Sequence, residues 1–521
     1  MRARTKVILL LLTLYVLAVP VYITTRFAGG WLELDAAKLT VISQGTYDEA
    51  TLVPASGAYA YGFAYPSLNV FLAHLGGVPV ETLQRSVQPF LVALLIPVSF
   101  AAFRALTGDG NVALLSTLFL CLQPEFFFEA VRSSHAKVTW MFALCALFVL
   151  ARSFRSAHAG WSFVKWASLL YPVAFGLITT NSFFASNYIF GIAFGFLGGQ
   201  IVRQWWGDNE SGSMSHLKRL LYIAISCFIL LFLFLFYLYP PALYSVRVLR
   251  GIVNQTAAFL LDVEITQSPY AYVGATWPSP ATYVLLTLFN WLVLLLSFVA
   301  WVRQTKALIL RRGRLVPPDL LLWLLYAAFA VLLAVSVILD FAGVLSANLQ
   351  VRIFPHLMVA AIPLCAGGLV QVLRRAYHGS RVAGRVATAS MAVCILIFSG
   401  ASLVKITNEP LLSNKWLFYS SGEDIAAQWV EKHLHYAQMW IGADGRVSAP
   451  VVAYHDWDRV AVESYWGDVG STTRYFLVSD LLEAWRTRVG FALPNLEGDL
   501  RVYDSGQAQL YHTRPKTPYQ R

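Results

Sequence analysis

The chain has 521 residues, of which 57% are hydrophobic and 13% are charged. A typical soluble domain carries roughly 25% charged residues, so this composition excludes a soluble globular protein and indicates a polytopic membrane protein. The net charge of +11 raises the question of a nucleic-acid partner, but the basic residues are concentrated in alternate loops between apolar segments. That is the positive-inside pattern of a membrane protein, and we expect no nucleic-acid partner.

About 11 segments are long and apolar enough to cross a bilayer, for which about 17 to 25 residues are needed. They are residues 6–25, 85–106, 111–130, 137–153, 163–180, 183–202, 219–239, 281–302, 320–339, 353–373 and 386–404. The basic loops fall on one side if the N-terminus is cytoplasmic, which places the C-terminus outside. The pattern predicts an integral protein of the cell membrane with a helical membrane domain over residues 1–404.

Two apolar segments need a separate interpretation. Residues 60–79 could be counted as a further span, but this would invert every later loop and put the basic clusters outside. We therefore expect a helix in the membrane interface. The first span has the basic start of a signal peptide, yet no convincing cleavage site follows Pro20, so we expect a retained anchor.

Residues 405–521 are charged and alternating, unlike the rest of the chain. Ser420 or Ser421 can cap a helix that runs to Lys432. Strands are predicted at 439–442 and 475–479, followed by a hairpin of 500–503 with 508–511. The segment is predicted to be a small extracytoplasmic α/β domain.

The first outer loop, residues 26–84, is too long for a simple connection and is a candidate functional segment. Glu33 and Asp35 stand near its start, close to the first span. Ionisable groups near hydrocarbon are costly, and they tend to occur where they bind an ion, a substrate or a proton. These two carboxylates are the first candidates for a site.

Short motifs follow one another along the chain in a recognisable order. They are Asp35, Ile42-Ser-Gln-Gly45, the Tyr-rich run 59–65, Gly76-Gly-Val-Pro79, Thr82-Leu-Gln-Arg85, Gln123-Pro124 and Ile425-Ala-Ala-Gln-Trp429. With the long fourth outer loop, residues 240–280, and an Arg just before a late span, this layout resembles the GT-C membrane glycosyltransferases. That superfamily includes oligosaccharyltransferases, protein O-mannosyltransferases and lipid A aminoarabinose transferases.

The resemblance implies transfer of a sugar from a polyprenyl-phosphate carrier to an acceptor on the outer face. The acceptor would be a lipid-linked glycan, a cell-surface polymer or a protein. Asp35 would be the catalytic carboxylate, acting as general base or as ligand of a divalent cation (Mg or Mn), with Glu33 second. The second outer loop lacks the further acid that many GT-C members have, which leaves metal dependence open.

The leaving phosphate needs positive charge aimed at it. Arg352 is the leading candidate, because an outer-face Arg at the start of a span runs against the charge bias. The second outer loop adds Arg132, His135 and Lys137 as donor-phosphate ligands. Snorkelling to lipid headgroups is the alternative role for these basic side chains.

The fourth outer loop supplies the candidates for acceptor binding. Glu264 is similar in setting to an acceptor-holding Glu of oligosaccharyltransferases, and Tyr270, Tyr272 and Trp277 could stack on a sugar. The same aromatics could equally form an interfacial belt. The Trp-Trp-Asp-Tyr-Gly signature of oligosaccharyltransferases is missing, so we expect transfer of a single sugar and not asparagine glycosylation.

Three alternative functions stay open. A lipid-linked glycan polymerase would share the substrate class and the outer-face site. A flippase or transporter should place charges or broken helices at the midplane in related halves, which the nearly charge-free spans do not show. A non-catalytic subunit of a surface-assembly complex would give Asp35 no role.

Overall fold

The computed structural model describes residues 3–26, 43, 61–132, 134–155, 160–206, 211–243, 280–310, 317–341, 349–407, 421–433, 439–443, 460–464, 475–480, 483 and 496–512. Within these ranges the membrane part is helical. Its helices are α1 (Ala3–Arg26), α2 (Ala64–Gly76), α3 (Val80–Thr107), α4 (Gly110–Leu122), α5 (Pro124–Val131), α6 (Ala136–Arg155), α7 (Gly160–Thr180), α8 (Ser182–Trp206), α9 (Ser211–Leu233), α10 (Pro280–Leu310), α11 (Pro317–Phe341), α12 (Leu349–Gly379) and α13 (Arg381–Ile406).

Ten of the predicted spans each coincide with one helix of this bundle, and the segment 111–130 is divided between two. Of the described helices, 9 are long and apolar enough to cross a membrane, and α4 with α5 forms a bent pair that raises the number to 10. Helix α7 is shorter in its apolar part, Val164–Thr180. The polytopic helical architecture is thus confirmed, while the N-in, C-out orientation stays a prediction.

The segment predicted as a span over residues 111–130 is broken in the structure. The chain bends by 73° between α4 and α5. Pro124 at the first position of α5 has no N–H to donate, and it forces Gln123 into an extended conformation with ψ of 113°. The second half of the predicted span is therefore a separate two-turn helix.

The predicted interfacial segment contains helix α2, which a buried polar network ties to the start of α3. Gln84 Nε2 donates to the Tyr65 hydroxyl at 3.0 Å, and Asn69 Nδ2 donates to Gln84 Oε1 at 2.7 Å. Gln88 Nε2 completes the network by donating to Asn69 Oδ1 at 2.6 Å. Because unpaired buried amides are costly, this network fixes α2 against α3.

The beginning of α3 is irregular, and this positions the two glutamines. A π-helical turn, Leu83–Val87, is followed by a 3₁₀ segment, Gln88–Leu94, before regular α-helix resumes. Pro89, at the start of the 3₁₀ segment, cannot donate the usual helical hydrogen bond. Both Gln84 and Gln88 are fully buried on the side that faces α2.

The C-terminal segment forms a sheet covered by helix α14 (Ser421–His433). The strands are β1 (Met439–Ala443), β2 (Val460–Ser464), β3 (Tyr475–Ser479), β4 (Leu500–Asp504) and β5 (Ala508–His512), in the order β2-β1-β3-β5-β4. Strand β1 pairs in parallel with β2 and β3, and β5 pairs antiparallel with β3 and β4. The predicted helix, hairpin and two further strands are confirmed, and β2 is an addition.

Candidate functional site

Several predicted site residues lie outside the described residues. They are Glu33 and Asp35 in the first outer loop, and Glu264, Tyr270, Tyr272 and Trp277 in the fourth outer loop. The structure describes the four predicted phosphate ligands, Arg132, His135, Lys137 and Arg352. They define the described part of the candidate site.

Four parts of the chain meet at one end of the bundle. Tyr61 precedes α2, His135 precedes α6, Asn181 separates α7 from α8, and Arg352 lies in the first turn of α12. Phe183, in the first turn of α8, joins them. We call these five residues the Arg352 cluster.

Tyr61 is held by its backbone as well as by its ring. Its carbonyl oxygen accepts a hydrogen bond from the Ser182 N–H at 2.8 Å, which ties it to the start of α8. The next residue, Gly62, packs against the end of α7 so closely that an added Cβ would lie 1.9 Å from the carbonyl oxygen of Thr179. A side chain at position 62 is thus excluded, and Tyr61 has little freedom to move.

Arg352 rests on two aromatic rings. Its guanidinium carbon lies 5.1 Å from the ring centre of Phe183 and 5.7 Å from that of Tyr61. Its Nη1 also donates to the Tyr61 hydroxyl oxygen at 3.2 Å. The side chain is exposed, and no carboxylate pairs with it among the residues that the structure describes. This is an oriented cation with its donors available to an anion.

His135 connects the second outer loop to this cation. Its imidazole stacks on the Tyr61 ring, with centres 6.2 Å apart and planes 23° from parallel, and it meets the Tyr65 ring edge-on. Its Nε2 lies 2.8 Å from Asn181 Nδ2. Asn181 in turn caps α8, because its Oδ1 accepts from the Phe184 N–H at 2.9 Å. His135 and Arg352 therefore share Tyr61 as a common neighbour.

Arg132 and Lys137 are already engaged. Arg132 pairs with Glu129 at 2.9 Å and lies over the Phe128 ring. Lys137 is fully buried, and its ammonium donates to the carbonyl oxygens of Arg132 at 2.5 Å and Ser134 at 3.3 Å. These two hydrogen bonds tie the Lys137 side chain to the loop before α6.

A second polar cluster lies at the bend between α4 and α5. Glu125, in the first turn of α5, pairs with Lys405 of α13 and accepts from the side-chain amide of Asn290 of α10. Its charge is therefore balanced within the bundle. Among the described residues, no group of three or more His, Cys, Asp or Glu side chains could hold a metal ion.

Sequence reasoning missed Asn181 and Phe183, and it singled out Tyr61 only as part of a Tyr-rich run. One signal was available: an Asn directly between two predicted apolar spans is a good helix N-cap. Its contact with His135 could not be predicted, because it depends on how α6 and α8 pack.

No protein-family model matches this sequence, and no curated protein matches it. Solved structures do. The oligosaccharyltransferase of Archaeoglobus fulgidus, tethered with an acceptor peptide, is 10% identical with a TM-score of 0.60, over 99% of this chain and 74% of that one. The archaeal oligosaccharyltransferase AglB from the same organism, in complex with an inhibitory peptide and a dolichol-phosphate, gives a TM-score of 0.57 at 10% identity, over 99% of this chain and 75% of that one.

The bacterial ArnT of Cupriavidus metallidurans, bound to undecaprenyl phosphate, is 13% identical with a TM-score of 0.51, over 98% of both chains. These proteins are GT-C membrane glycosyltransferases. The chain has the GT-C fold. In this fold the Arg352 cluster joins the segment before α2, the second outer loop and the start of α12. Identities this low establish the fold alone.

Proposed function

We propose that this GT-C protein is a membrane glycosyltransferase that moves a sugar from a polyprenyl-phosphate carrier to an acceptor on the outer face of the membrane. The observation that carries the proposal is the position of Arg352. Its exposed guanidinium lies over the rings of Tyr61 and Phe183 and donates a hydrogen bond to the Tyr61 hydroxyl. Two of the similar structures hold a polyprenyl phosphate, which makes a lipid phosphate the anion we assign to this cation.

The reaction is a displacement at the anomeric carbon of the sugar. The acceptor oxygen forms the new bond, the bond from the anomeric carbon to the phosphate oxygen breaks, and the phosphate leaves with the electron pair. Asp35 takes the proton of the acceptor hydroxyl, directly or beside a divalent cation, with Glu33 in support. Arg352 stabilises the charge that grows on the phosphate.

The other predicted residues have different roles in the proposal. His135 and Arg132 border the donor phosphate, while Lys137 has a structural role because two carbonyl oxygens hold its buried ammonium. Glu264, Tyr270, Tyr272 and Trp277 are the proposed acceptor contacts. A glycan, a lipid or a protein could be the acceptor.

The test uses purified full-length protein in lipid nanodiscs with polyprenyl-phosphate sugars and acceptor extracts. Asp35→Asn and Arg352→Gln should each lower the transfer rate, the former by a factor of roughly 10² or more, as expected for loss of a general base. Arg375→Gln is the matched control, because Arg375 is exposed near the other end of α12.

Near-normal transfer by Asp35→Asn would remove Asp35 from the mechanism. Equal losses in Arg352→Gln and Arg375→Gln would show that Arg352 acts through general membrane electrostatics. In sealed proteoliposomes, movement of the intact lipid-linked sugar across the bilayer without any transfer would favour the flippase alternative.

A further inference from the structure

We propose that a small cavity inside the helix bundle is a binding site for one buried water molecule, which hydrogen-bonds to the imidazole of His356 and to the hydroxyl of Tyr188. The site lies among the membrane helices and is separate from the Arg352 cluster. It is independent of the proposed function, because its occupancy requires no sugar, carrier or acceptor.

The cavity lies where α6, α8, α11, α12 and the end of α3 meet. Most of the side chains in its wall are apolar, among them Leu144, Leu325 and Val359. Its volume is about 20 Å³. A water molecule needs roughly 10 to 15 Å³. The cavity therefore has space for one water molecule and for no larger ligand.

Two polar side chains interrupt this apolar wall. His356 is 2% exposed and Tyr188 is 7% exposed, and both line the cavity. Within the part of the chain that the structure describes, neither His356 Nε2 nor the Tyr188 hydroxyl has a hydrogen-bond partner. A buried polar group without a partner is costly, and native proteins commonly satisfy such a group with an ordered water molecule.

Aromatic rings surround the imidazole of His356. The ring centre of Phe184 lies 4.0 Å from that of His356, and the ring centre of Phe329 lies 5.6 Å from it. Phe329 also packs against Tyr188, with ring centres 6.5 Å apart. A phenyl ring offers neither group a nitrogen or oxygen partner. A water molecule can both donate and accept, so it satisfies the imidazole nitrogen in either tautomer together with the hydroxyl.

The water site adjoins the helices that position Arg352. His356 follows Arg352 by four residues, which is about one turn of α12. On α8, Phe184 is the neighbour of Phe183, whose ring supports Arg352. A water molecule held by His356 and Tyr188 joins α12 to α8 one turn further along from the Arg352 cluster.

Contact between water and His356 can be measured in the full-length protein in lipid bilayers. Solid-state NMR with ¹⁵N-labelled histidine detects transfer of magnetisation from water protons to the ring nitrogen, and His356→Gln identifies the signal among the 10 histidines. We expect transfer at His356 although this residue lies inside the bundle. No transfer there would overturn the proposal and would indicate an N–H directed at an aromatic ring.

Tyr188→Phe is the deciding variant, because it removes one of the two polar partners and leaves the ring. Transfer at His356 should fall at least about twofold, since an apolar cavity with a single polar group holds water poorly. Tyr326→Phe is the matched control, because Tyr326 is also buried but its hydroxyl accepts from Ser297 Oγ at 3.3 Å. Undiminished transfer in Tyr188→Phe, or an equal fall in both variants, would overturn the proposal.

Ala360→Val tests the location of the water molecule. Ala360 lines the cavity, and two added methyl groups occupy its volume without changing either polar group. Transfer at His356 should be lost, and persistent transfer would place the water elsewhere and overturn the proposal.

Thermal unfolding of Tyr188→Phe, His356→Phe and the double variant gives a test that does not depend on the NMR signal. Each single change leaves the other polar group buried without its shared water, whereas the double variant removes both groups. The shift of the unfolding midpoint in the double variant should therefore be smaller than the sum of the two single shifts. Additive shifts would show two independent groups and would overturn the proposal.

Discussion

Arg352 is the residue on which the site depends most, and its environment explains why an arginine is suited to that place. A planar guanidinium can lie over the rings of Phe183 and Tyr61 and still direct several N–H donors outward. A lysine would keep the charge but lose both the stacking and the fork of donors. The two rings and one hydroxyl together set its direction.

We expect Tyr61→Phe to reduce kcat/KM for the lipid-linked donor roughly tenfold, which corresponds to about 1.4 kcal/mol. The ring that supports Arg352 stays, but the hydroxyl that accepts from its Nη1 is removed. Steady-state kinetics with varied donor concentration measures the loss. Tyr171→Phe is the control, because its hydroxyl bonds to Ser226 far along the chain from the cluster; an equal loss there would contradict the assignment.

The sequence predicted Arg352 as a phosphate-binding cation, but it did not predict the residues that position it. Arg352 was recognisable because an outer-face Arg runs against the distribution of charge in the loops. Asn181 and Phe183 carry no such anomaly, since an asparagine between two spans and a phenylalanine in a span are both ordinary. Their roles come from the crossing of α6, α8 and α12, which local patterns do not encode.

The start of α4 shows how a single residue, Asp109, can both cap a helix and join it to another. Asp109 accepts from the N–H groups of Asn111 at 2.8 Å and Val112 at 3.4 Å, and it pairs with Arg374 of α12 at 2.5 Å. Partial burial would by itself raise the pKa of Asp109, but the hydrogen bonds from Arg374, Asn111 and Val112 outweigh it and lower the pKa below its ordinary value.

Asp109→Asn should lower the unfolding free energy by up to about 1 kcal/mol at neutral pH, because the cap stays while a largely exposed ion pair is lost. Asp109→Ala should cost roughly 1 kcal/mol more, because the cap is lost as well. Since the folded pKa is lowered, the wild-type advantage is present above the unfolded pKa and is lost as the pH falls through the folded value. Thermal unfolding in detergent, followed from neutral pH through the acidic range in which carboxyl groups are protonated, measures both effects. A wild-type advantage that grows toward low pH would contradict this account.

The helices themselves were predictable because membrane crossing requires long apolar runs. The break at Gln123 was not, because proline occurs within membrane helices as well as at their ends, and neighbours can satisfy the freed backbone groups. Only the packing of α5 against α13 and α10, with Glu125 paired to Lys405, shows that the chain turns there.

The membrane helices and the C-terminal segment contact each other through charged side chains. Arg85, in the π-helical turn of α3, pairs with Glu81 of its own helix at 2.7 Å and approaches Asp424 of α14 at 3.8 Å. The preceding residue, Gln84, points the other way, into the network with Tyr65. One turn of α3 thus contacts both the C-terminal segment and the neighbourhood of the Arg352 cluster.

Asp424→Asn should broaden the distribution of distances between α14 and the membrane helices, because it removes the partner of Arg85 across the two parts. Spin labels at exposed Lys432 and His74, measured by pulsed electron resonance, report this distribution. Glu81→Gln is the matched control, since it frees Arg85 from the competing carboxylate and should leave the distribution as narrow or narrower. Equal broadening in both variants would contradict a role for the pair with Asp424.

For the C-terminal segment, alternation and turn residues predicted the helix, the hairpin and two further strands. Strand β2 was missed because Val460–Ser464 is a five-residue run with two polar positions, and its identity as a strand depends on parallel pairing with β1. Parallel strands that are distant in sequence leave no turn signal between them.

The bend after α4 has a consequence for depth in the membrane. Helix α4 has 13 residues and α5 has 8, and the two meet at 73°. At about 1.5 Å per residue, α4 rises about 20 Å and α5 adds only about 4 Å along the same axis. The hydrocarbon layer is about 30 Å thick, so a pair that starts at one boundary with α4 along the membrane normal would end about 6 Å below the other boundary. On the predicted topology and the proposed function, the loop with Arg132 and His135 would then lie below the outer boundary of the hydrocarbon layer, where the proposed lipid carrier would present its phosphate without leaving its own leaflet.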